Sequence, residues 1–396
     1  MTNLERWRSL FVGTYAPESF VDWGWYTAVA SAVERRVWLG DWPNAILPNL
    51  FTLFISGPGV GKGLVLDRVK DILAEQIETI GETKRQIVFL GPDSTTYADL
   101  TQTMAAIQRK YTLPDGADYT YPGITFVLDE FLSLLNRDGD DLVTFLLEGY
   151  NGKPHFRSTK HQGKDRFKRC SVNLIAGTTP DQLQKIAKFG VFSNGLSSRM
   201  VIVYDPRRGG DLFSLPSVTP EWKATWKHLS YHIFNLTQLF GGFTLGDDVR
   251  QWVASGEWSK LNKEQRENDS ARLDDYYARR NLHIQKLAML SHLSEDASLT
   301  QIGLDKIMDA DAMLRKIEAV MHIPLVSGGR NELASIMEDI VQYIANTCKT
   351  KPGEVVTYAE ILAPFIADAS EKEIEEMLKV LTTTGRIKPM NGGFTI

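Results

Sequence analysis

The sequence predicts an α/β fold with a mainly parallel sheet, extended by a helical lobe and closed by a small C-terminal module. Three observations predict it. From Asn49 onward short apolar runs alternate with segments of helical period, a glycine-rich turn joins the first such run to the first helix, and beyond residue 210 the apolar runs stop while helical periodicity continues. Strands alternating with helices are the pattern of a sheet covered on its faces. At 396 residues the chain also exceeds the ~100–200 of an ordinary domain, so more than one unit is expected.

Residues 1–47 hold five of the nine tryptophans (Trp7, Trp23, Trp25, Trp38 and Trp42) and a helix predicted over 18–36. They are expected to form an aromatic-rich segment packed against the core. That core is expected over 48–210. FTLFI (51–55) reads as its first strand, 62–79 as a helix with Leu66, Val69, Ile72 and Leu73 on one face, QIVFLG (86–91) as a second strand, and 97–111 as a second helix on Leu100, Met104, Ile107 and Tyr111. ITFVL (124–128) and SVNLIA (171–176) complete the buried strands. A helical lobe or lid is expected over 211–329, anchored by Trp222, Trp226, Trp252 and Trp258. The last unit, 330–396, opens on an amphipathic helix carrying Leu333, Ile336, Met337, Ile340, Val341 and Ile344. Helices near 357–367 and 370–383 come next, then a two-stranded ribbon turning at Asn391–Gly393, the order of a winged helix.

Composition narrows the function classes. Net charge is −5, from 44 basic and 49 acidic residues, so the whole chain is not a polybasic nucleic-acid coat. Cys170 and Cys348 lie far apart without C-x-x-C spacing, which excludes a disulfide framework and a structural zinc site. No run of ~18 apolar residues occurs, and the first fifteen residues lack a leader pattern. Neither export nor membrane insertion is expected, and the expected compartment is a reducing cytoplasm.

The strongest motif lies just after the first strand: Ser56-Gly57-Pro58-Gly59-Val60-Gly61-Lys62-Gly63-Leu64, opening a helix. Backbone N–H groups of such a loop cradle phosphates at a helix N-terminus, and the lysine reaches the β and γ groups. The pattern G-x-x-x-x-G-K-[ST] has Gly where Ser56 stands and a hydroxyl where Gly63 stands. The second departure bears on chemistry, because that hydroxyl binds Mg²⁺; with Gly63 the metal needs a water there or binds weakly. Sixty-seven residues beyond Lys62, the strand GITFVL ends in Asp129-Glu130. Acids at the carboxyl end of a parallel strand face the ligand crevice, so Asp129 is the candidate for Mg²⁺ and its waters and Glu130 for polarising the attacking water.

Thr178, ending the next apolar strand, is the candidate sensor of the γ-phosphate. Arg199, before the strand MVIVY, is a candidate arginine finger reaching another subunit. Of Arg279 and Arg280, at the start of a helix in the lobe, Arg280 is the candidate phosphate contact. Between the acidic pair and the sensor strand, residues 153–169 carry seven Lys/Arg against one Asp, a local charge of +6. This reads as a hairpin, and Arg157, Lys160, His161, Lys164, Arg166 and Lys168 are the candidates for a nucleic-acid backbone. Glu371, Glu373, Glu375 and Glu376 on the last helix oppose base reading and favour a protein partner there, while Arg386 and Lys388 keep DNA contact open.

Taken together, LPNLFTLFISGPGVGKG, FVLDEFLSLL, LLEGYNGKPHFRSTK, NLIAGTTPDQL, GLSSRMVIVYDP and RRNLHIQKLAML resemble the helicase-like AAA+ P-loop ATPases of bacteriophages and plasmids, over about residues 30–325. The resemblance implies an ATP- and Mg²⁺-dependent replicative DNA helicase forming a homo-oligomeric, hexameric ring. ATP would lie between subunits, with Lys62, Asp129 and Glu130 from one and Arg199 from the next, single-stranded DNA in the channel, and a primase or other replication protein as partner. No primase segment is expected before Asn49. A slowly hydrolysing, nucleotide-gated DNA-binding ring or helicase loader is the alternative, and a protein-remodelling ATPase the third.

Overall fold

A computed structural model describes the chain except residues 81–82, 113–117, 160–162, 188, 190, 192–194, 211–215, 268–272, 328–331, 351–354, 367–369, 384–385, 391 and 396. The fold is α/β with a mostly parallel central sheet, and it divides into two compact units, Met1–Leu325 and Val326–Ile396.

The central sheet of the first unit has the order Met200–Tyr204, Phe51–Ile55, Ser171–Thr178, Asp118–Leu128, Gln108–Thr112. The first three pairings are parallel and the last is antiparallel. Phe51–Ile55 and Ser171–Thr178 are buried at every position, as expected of strands covered on both faces. Register sets the functional end: Ile55 pairs with Thr178 and with Tyr204, so the loop after Ile55 emerges beside Thr178.

Three predicted elements differ. The helix expected over 62–79 is Lys62–Ala74, because Ile77–Ile80 pairs antiparallel with Thr83–Gln86. The β-branched Ile77, Thr79 and Ile80 suit that ribbon better than a further helical turn. The helix expected over 97–111 is Tyr97–Ala106, since Gln108–Thr112 adds to the sheet and stacks Tyr111 on Tyr121, 6.1 Å between centroids. The strand expected at 86–91 is a single bridge, Leu90 to Thr125, held by Thr125 N–H on Phe89 O (2.9 Å) and Gly91 N–H on Thr125 O (2.8 Å). Pro92 comes next, with no N–H to continue the ladder.

The aromatic opening lies inside the same core. Helix Glu18–Val33 is buried on nearly all sides, between helix Lys62–Ala74, the sheet and helix Arg280–Glu295. Close approach requires Gly24, where a Cβ would stand 2.6 Å from Val65 Cγ1. Trp25 Nε1 donates to Ser294 Oγ (2.7 Å) and Trp7 Nε1 to Val21 O (2.8 Å), so these large rings are buried with their polar atoms satisfied. The helices Pro220–Leu236 and Leu304–Ser327 flank this core, and the region also carries strands Gly241–Leu245 and Gln301–Ile302, parallel to each other, with Val37–Leu39 joining Gly241–Leu245.

The second unit has helices Glu332–Thr350, Tyr358–Phe365 and Glu371–Thr383 around Ile340, Ile344, Ile361, Ile374 and Leu381. Thr357 and Glu360 form a capping box at the second helix. Lys388–Met390 and Gly393–Thr395 make an antiparallel ribbon, bridged to Val356 through Phe394. Among the described residues no helix is long and apolar enough to cross a membrane.

Candidate functional site

The site begins where strand Phe51–Ile55 runs out. Ser56 to Gly61 form a loop in which Gly59 (φ +71°) and Gly61 (φ +105°) take left-handed backbone, and helix Lys62–Ala74 starts at once. At Gly61 a Cβ would also stand 2.8 Å from Ala16 Cα, so glycine is required both by conformation and by the strap at 15–16. Pro58, Gly59 and Gly63 are exposed, Gly57 and Leu64 half-buried, Val60 and Gly61 buried. Leu64 and Arg68 open onto a hollow of about 310 Å³ bounded by Phe11, Thr14, Val218 and Trp222.

Lys62 folds back over this loop. Its Nζ donates to Ser56 O (2.6 Å), Ser56 Oγ (2.9 Å) and Gly57 O (3.2 Å). Burial lowers its pKa, while Glu130 acts to raise it. Ser56, a departure from the motif, therefore supplies a hydroxyl to the lysine, a role that the motif pattern did not suggest.

The acids approach from the strand two places away. Asp129 comes directly after the strand Asp118–Leu128, and Gly177 on the intervening strand gives its backbone room, since a Cβ there would lie 2.5 Å from Asp129 O. A Cβ on Gly63 would stand 3.9 Å from Asp129 Oδ1, so the position after the lysine faces this carboxylate. Asp67, one turn further along the helix, has its pKa raised by burial and then by Asp129; no motif marks it in the sequence. Glu130 caps the short helix Phe131–Leu135, its Oε1 receiving Leu132 N–H at 3.5 Å. Among the described residues no group of three or more His, Cys, Asp or Glu is arranged to hold a metal.

Thr178 is fully buried, and its Oγ1 has no hydrogen-bond partner among the described residues. The cap of the next helix is Thr179, which accepts from Gln182 N–H at 3.3 Å. Lys62, Asp129 and Thr178 thus meet at the carboxyl ends of three adjacent parallel strands.

Arg199 does not join them. It ends the turn Ser197–Arg199 just before Met200, which pairs with Phe51 at the opposite end of the sheet. Its Nη1 donates to Gly195 O (2.6 Å), its guanidinium lies 6.0 Å from the Tyr150 ring centre, and its Nε has no partner among the described residues. Burial, then Arg279, lowers its pKa. Lys286 touches the same tyrosine, 4.1 Å from the ring centre, and donates to Asn49 O (2.8 Å) and Oδ1 (2.7 Å); burial lowers its pKa well below the ordinary value. Its i+3 spacing from the buried His283 was the available signal that it faces inward.

The expectation for Arg280 is corrected. Its guanidinium is fully buried, and Nε, Nη1 and Nη2 each donate to a carboxylate of Glu318 (2.7 and 2.9 Å) or Asp311 (2.7 Å), so the group is turned to these acids and away from solvent.

The basic segment is a hairpin, His155–Thr159 against Gly163–Phe167, with Arg157 opposite Asp165 and Phe156 opposite Arg166. Lys160 and His161 lie outside the described residues, as do the side chains of Arg157, Lys164 and Arg166. Lys168, just past the hairpin, is exposed. His155 and Phe167 anchor its foot, ring centres 5.2 Å apart.

Compared with protein-family models and with curated proteins, the chain finds no match.

Proposed function

We propose that this chain is an ATP-dependent DNA helicase or translocase built on a P-loop AAA+ core, with a C-terminal winged helix. The convergence of Lys62, Asp129 and Thr178 on one edge of the sheet carries the reading, because open α/β sheets bind ligands outside the carboxyl ends of their strands. The residues present suit a nucleotide with magnesium. A half-buried ammonium meets only carbonyls and one hydroxyl, beside Gly57 and Gly59 whose Cα faces open space, and a carboxylate faces the position after it. In this reading the loop N–H groups from Gly57 to Leu64 and the Lys62 ammonium hold the phosphates, and Asp129 holds the metal. Bound there, magnesium neutralises phosphate charge. Glu130 takes the proton of the attacking water, and Thr178 offers its unpartnered hydroxyl to the terminal phosphate.

The hairpin supports DNA as the translocated polymer. A +6 segment lies between the strand bearing the acids and the strand bearing Thr178, and it enters the latter at Ser171, so that one strand spans from the hairpin to the nucleotide edge. The acidic helix Glu371–Thr383 suits a protein partner, such as a primase or another replication protein.

The test is hydrolysis with and without single-stranded DNA. Glu130→Gln should lower turnover about 10²-fold or more, the range of a general base; turnover equal to the parent's would refute the assigned chemistry. Lys160→Glu with Lys164→Glu and Arg166→Glu should abolish DNA binding, and unchanged binding would favour a protein-remodelling ATPase. A slowly hydrolysing, nucleotide-gated ring or loader is the second reading, favoured by Gly63 alone.

A further inference from the structure

Of the nine tryptophans, Trp42 is the exposed one, with 47% of its surface open. A lone exposed aromatic needs no explanation in general; this one is braced. Trp38 leans against it, ring centres 5.9 Å apart, and the Arg35 guanidinium lies 5.6 Å from its centre. Arg35 is itself fixed: Nη1 donates to Gly152 O (3.0 Å) and Cys170 O (2.8 Å), and Nε to Tyr119 Oη (2.8 Å). Gly152 and Cys170 flank the basic hairpin, so one buried arginine ties the indole to the place where the hairpin leaves the helix Gly139–Tyr150 and enters the sheet strand at Ser171. Arg169 stacks 4.2 Å from the Tyr119 centre, and Lys153 and Lys168 are exposed on the two legs. The charges next to these groups along the chain are Asp41, Glu148, Lys153, Lys168 and Arg169, and Glu148 is engaged by His155 at 3.2 Å.

We infer that Trp42 is a base-stacking platform for single-stranded DNA at the foot of the hairpin, with Lys153 and Lys168 neutralising the flanking phosphates. An exposed ring beside cations is the pairing that single strands recognise, because every base offers a π-face while the backbone supplies the charge. Immobilising the indole in advance removes part of the ordering cost of binding. The inference rests on the reading of the hairpin as a DNA grip and adds to it stacking on a base, which an ammonium cannot provide.

The experiment measures affinity of the full chain for oligo-dT and for an abasic strand of equal length, by fluorescence polarisation. The parent should prefer oligo-dT. Trp42→Ala should weaken oligo-dT binding by about 5-fold or more, within the range of one base–aromatic stack, and leave the abasic strand unaffected. Trp42→Phe should keep most of the preference, which separates loss of the ring from loss of the fold. Lys168→Glu should weaken both strands alike. Trp42→Ala binding oligo-dT as the parent does, or losing the same factor on both strands, overturns the inference. If charge reversal at Lys160, Lys164 and Arg166 abolishes binding while Trp42→Ala does not change it, only this inference falls. If the parent binds neither strand, the hairpin reading falls with it.

Discussion

Replacing Arg280 with alanine strips the counter-charge from two carboxylates that water does not reach. The side chains of Glu318 and Asp311 are 4% and 5% exposed, and Arg280 makes three hydrogen bonds to them at 2.7–2.9 Å. Asp311 keeps Arg315, at 2.6 Å, while Glu318 keeps the Tyr276 hydroxyl at 3.0 Å. Breaking a buried ion pair from one side costs about 3–5 kcal/mol. At roughly 2–4 °C per kcal/mol for a large unit, this corresponds to a melting temperature about 6–20 °C lower. The penalty should depend on pH with a definite sign. Burial already raises the Glu318 pKa against the opposing pull of Arg280, and without Arg280 it rises further. A carboxyl raised above its unfolded value contributes stability that is complete below about pH 4.3 and lost as pH rises through its folded pKa. The variant should therefore lose least near pH 5 and most near pH 8, and adding Glu318→Gln should flatten that dependence. Calorimetry at both pH values, alongside ATP titration, is the assay. A melting temperature within 2 °C of the parent's, combined with lost ATP affinity, would refute the structural role and return Arg280 to the phosphates.

Gly63→Ser has room, since a Cβ there makes an ordinary 3.9 Å contact with Asp129 Oδ1. A gain in Mg²⁺-dependent turnover of about 10-fold or more is expected from restoring a metal-binding hydroxyl, and no gain would show that glycine does not limit the rate. Thr178→Val removes a hydroxyl without a described partner, so the melting temperature should hold while turnover falls about 10-fold or more; unchanged turnover removes Thr178 from the site. His283 is buried with Nε2 3.0 Å from Ser198 O, and burial pushes its pKa down to about 4. The unfolded chain binds that proton near pH 6.5 and the folded chain does not, so acidification from pH 6.5 towards 4 destabilises the fold, by about 2 kcal/mol at pH 5. Urea melts of His283→Gln should lack that part of the slope, and an undiminished slope would place the titration elsewhere.

How legible each element was in the sequence depends on how local its signal is. The loop at 56–63, the acids at 129–130 and the strand ending at Thr178 lie on contiguous runs where burial on both faces forces an unbroken apolar stretch. Helix ends were less legible, because the signal that ends helix Lys62–Ala74 is a ribbon partner, and the one that ends Tyr97–Ala106 is Asp118–Pro122. Arg280 and Arg279 are neighbours of identical chemistry in sequence. Only the three-dimensional return of helix Leu304–Ser327, bringing Asp311 and Glu318, separates the buried one from the other. Ser56 carries a signal the motif does not contain: it stands where the pattern has Gly, and its hydroxyl accepts from Lys62.

The two ends of the sheet set a constraint on any role for Arg199 in hydrolysis. Arg199 precedes the residue paired with Phe51, and Ser56 comes after Ile55, so six residues of extended strand separate their levels, about 20 Å at 3.3 Å per residue. That is well beyond an arginine side chain, and Arg199 is further tethered to Gly195. Within one chain, therefore, Arg199 does not reach the phosphates that Lys62 would hold. If it stabilises transition-state charge, it does so for a second copy, and each working site needs Lys62 from one chain and Arg199 from another. The consequence is measurable by mixing. Lys62→Ala and Arg199→Ala should each be inactive alone, while an equal mixture should recover activity at about a quarter of its sites, those pairing an intact lysine with an intact arginine across the contact. Mixed assemblies that form, as shown by sedimentation, yet recover no turnover would rule out the shared site and leave Arg199 a structural partner of Gly195 and Tyr150.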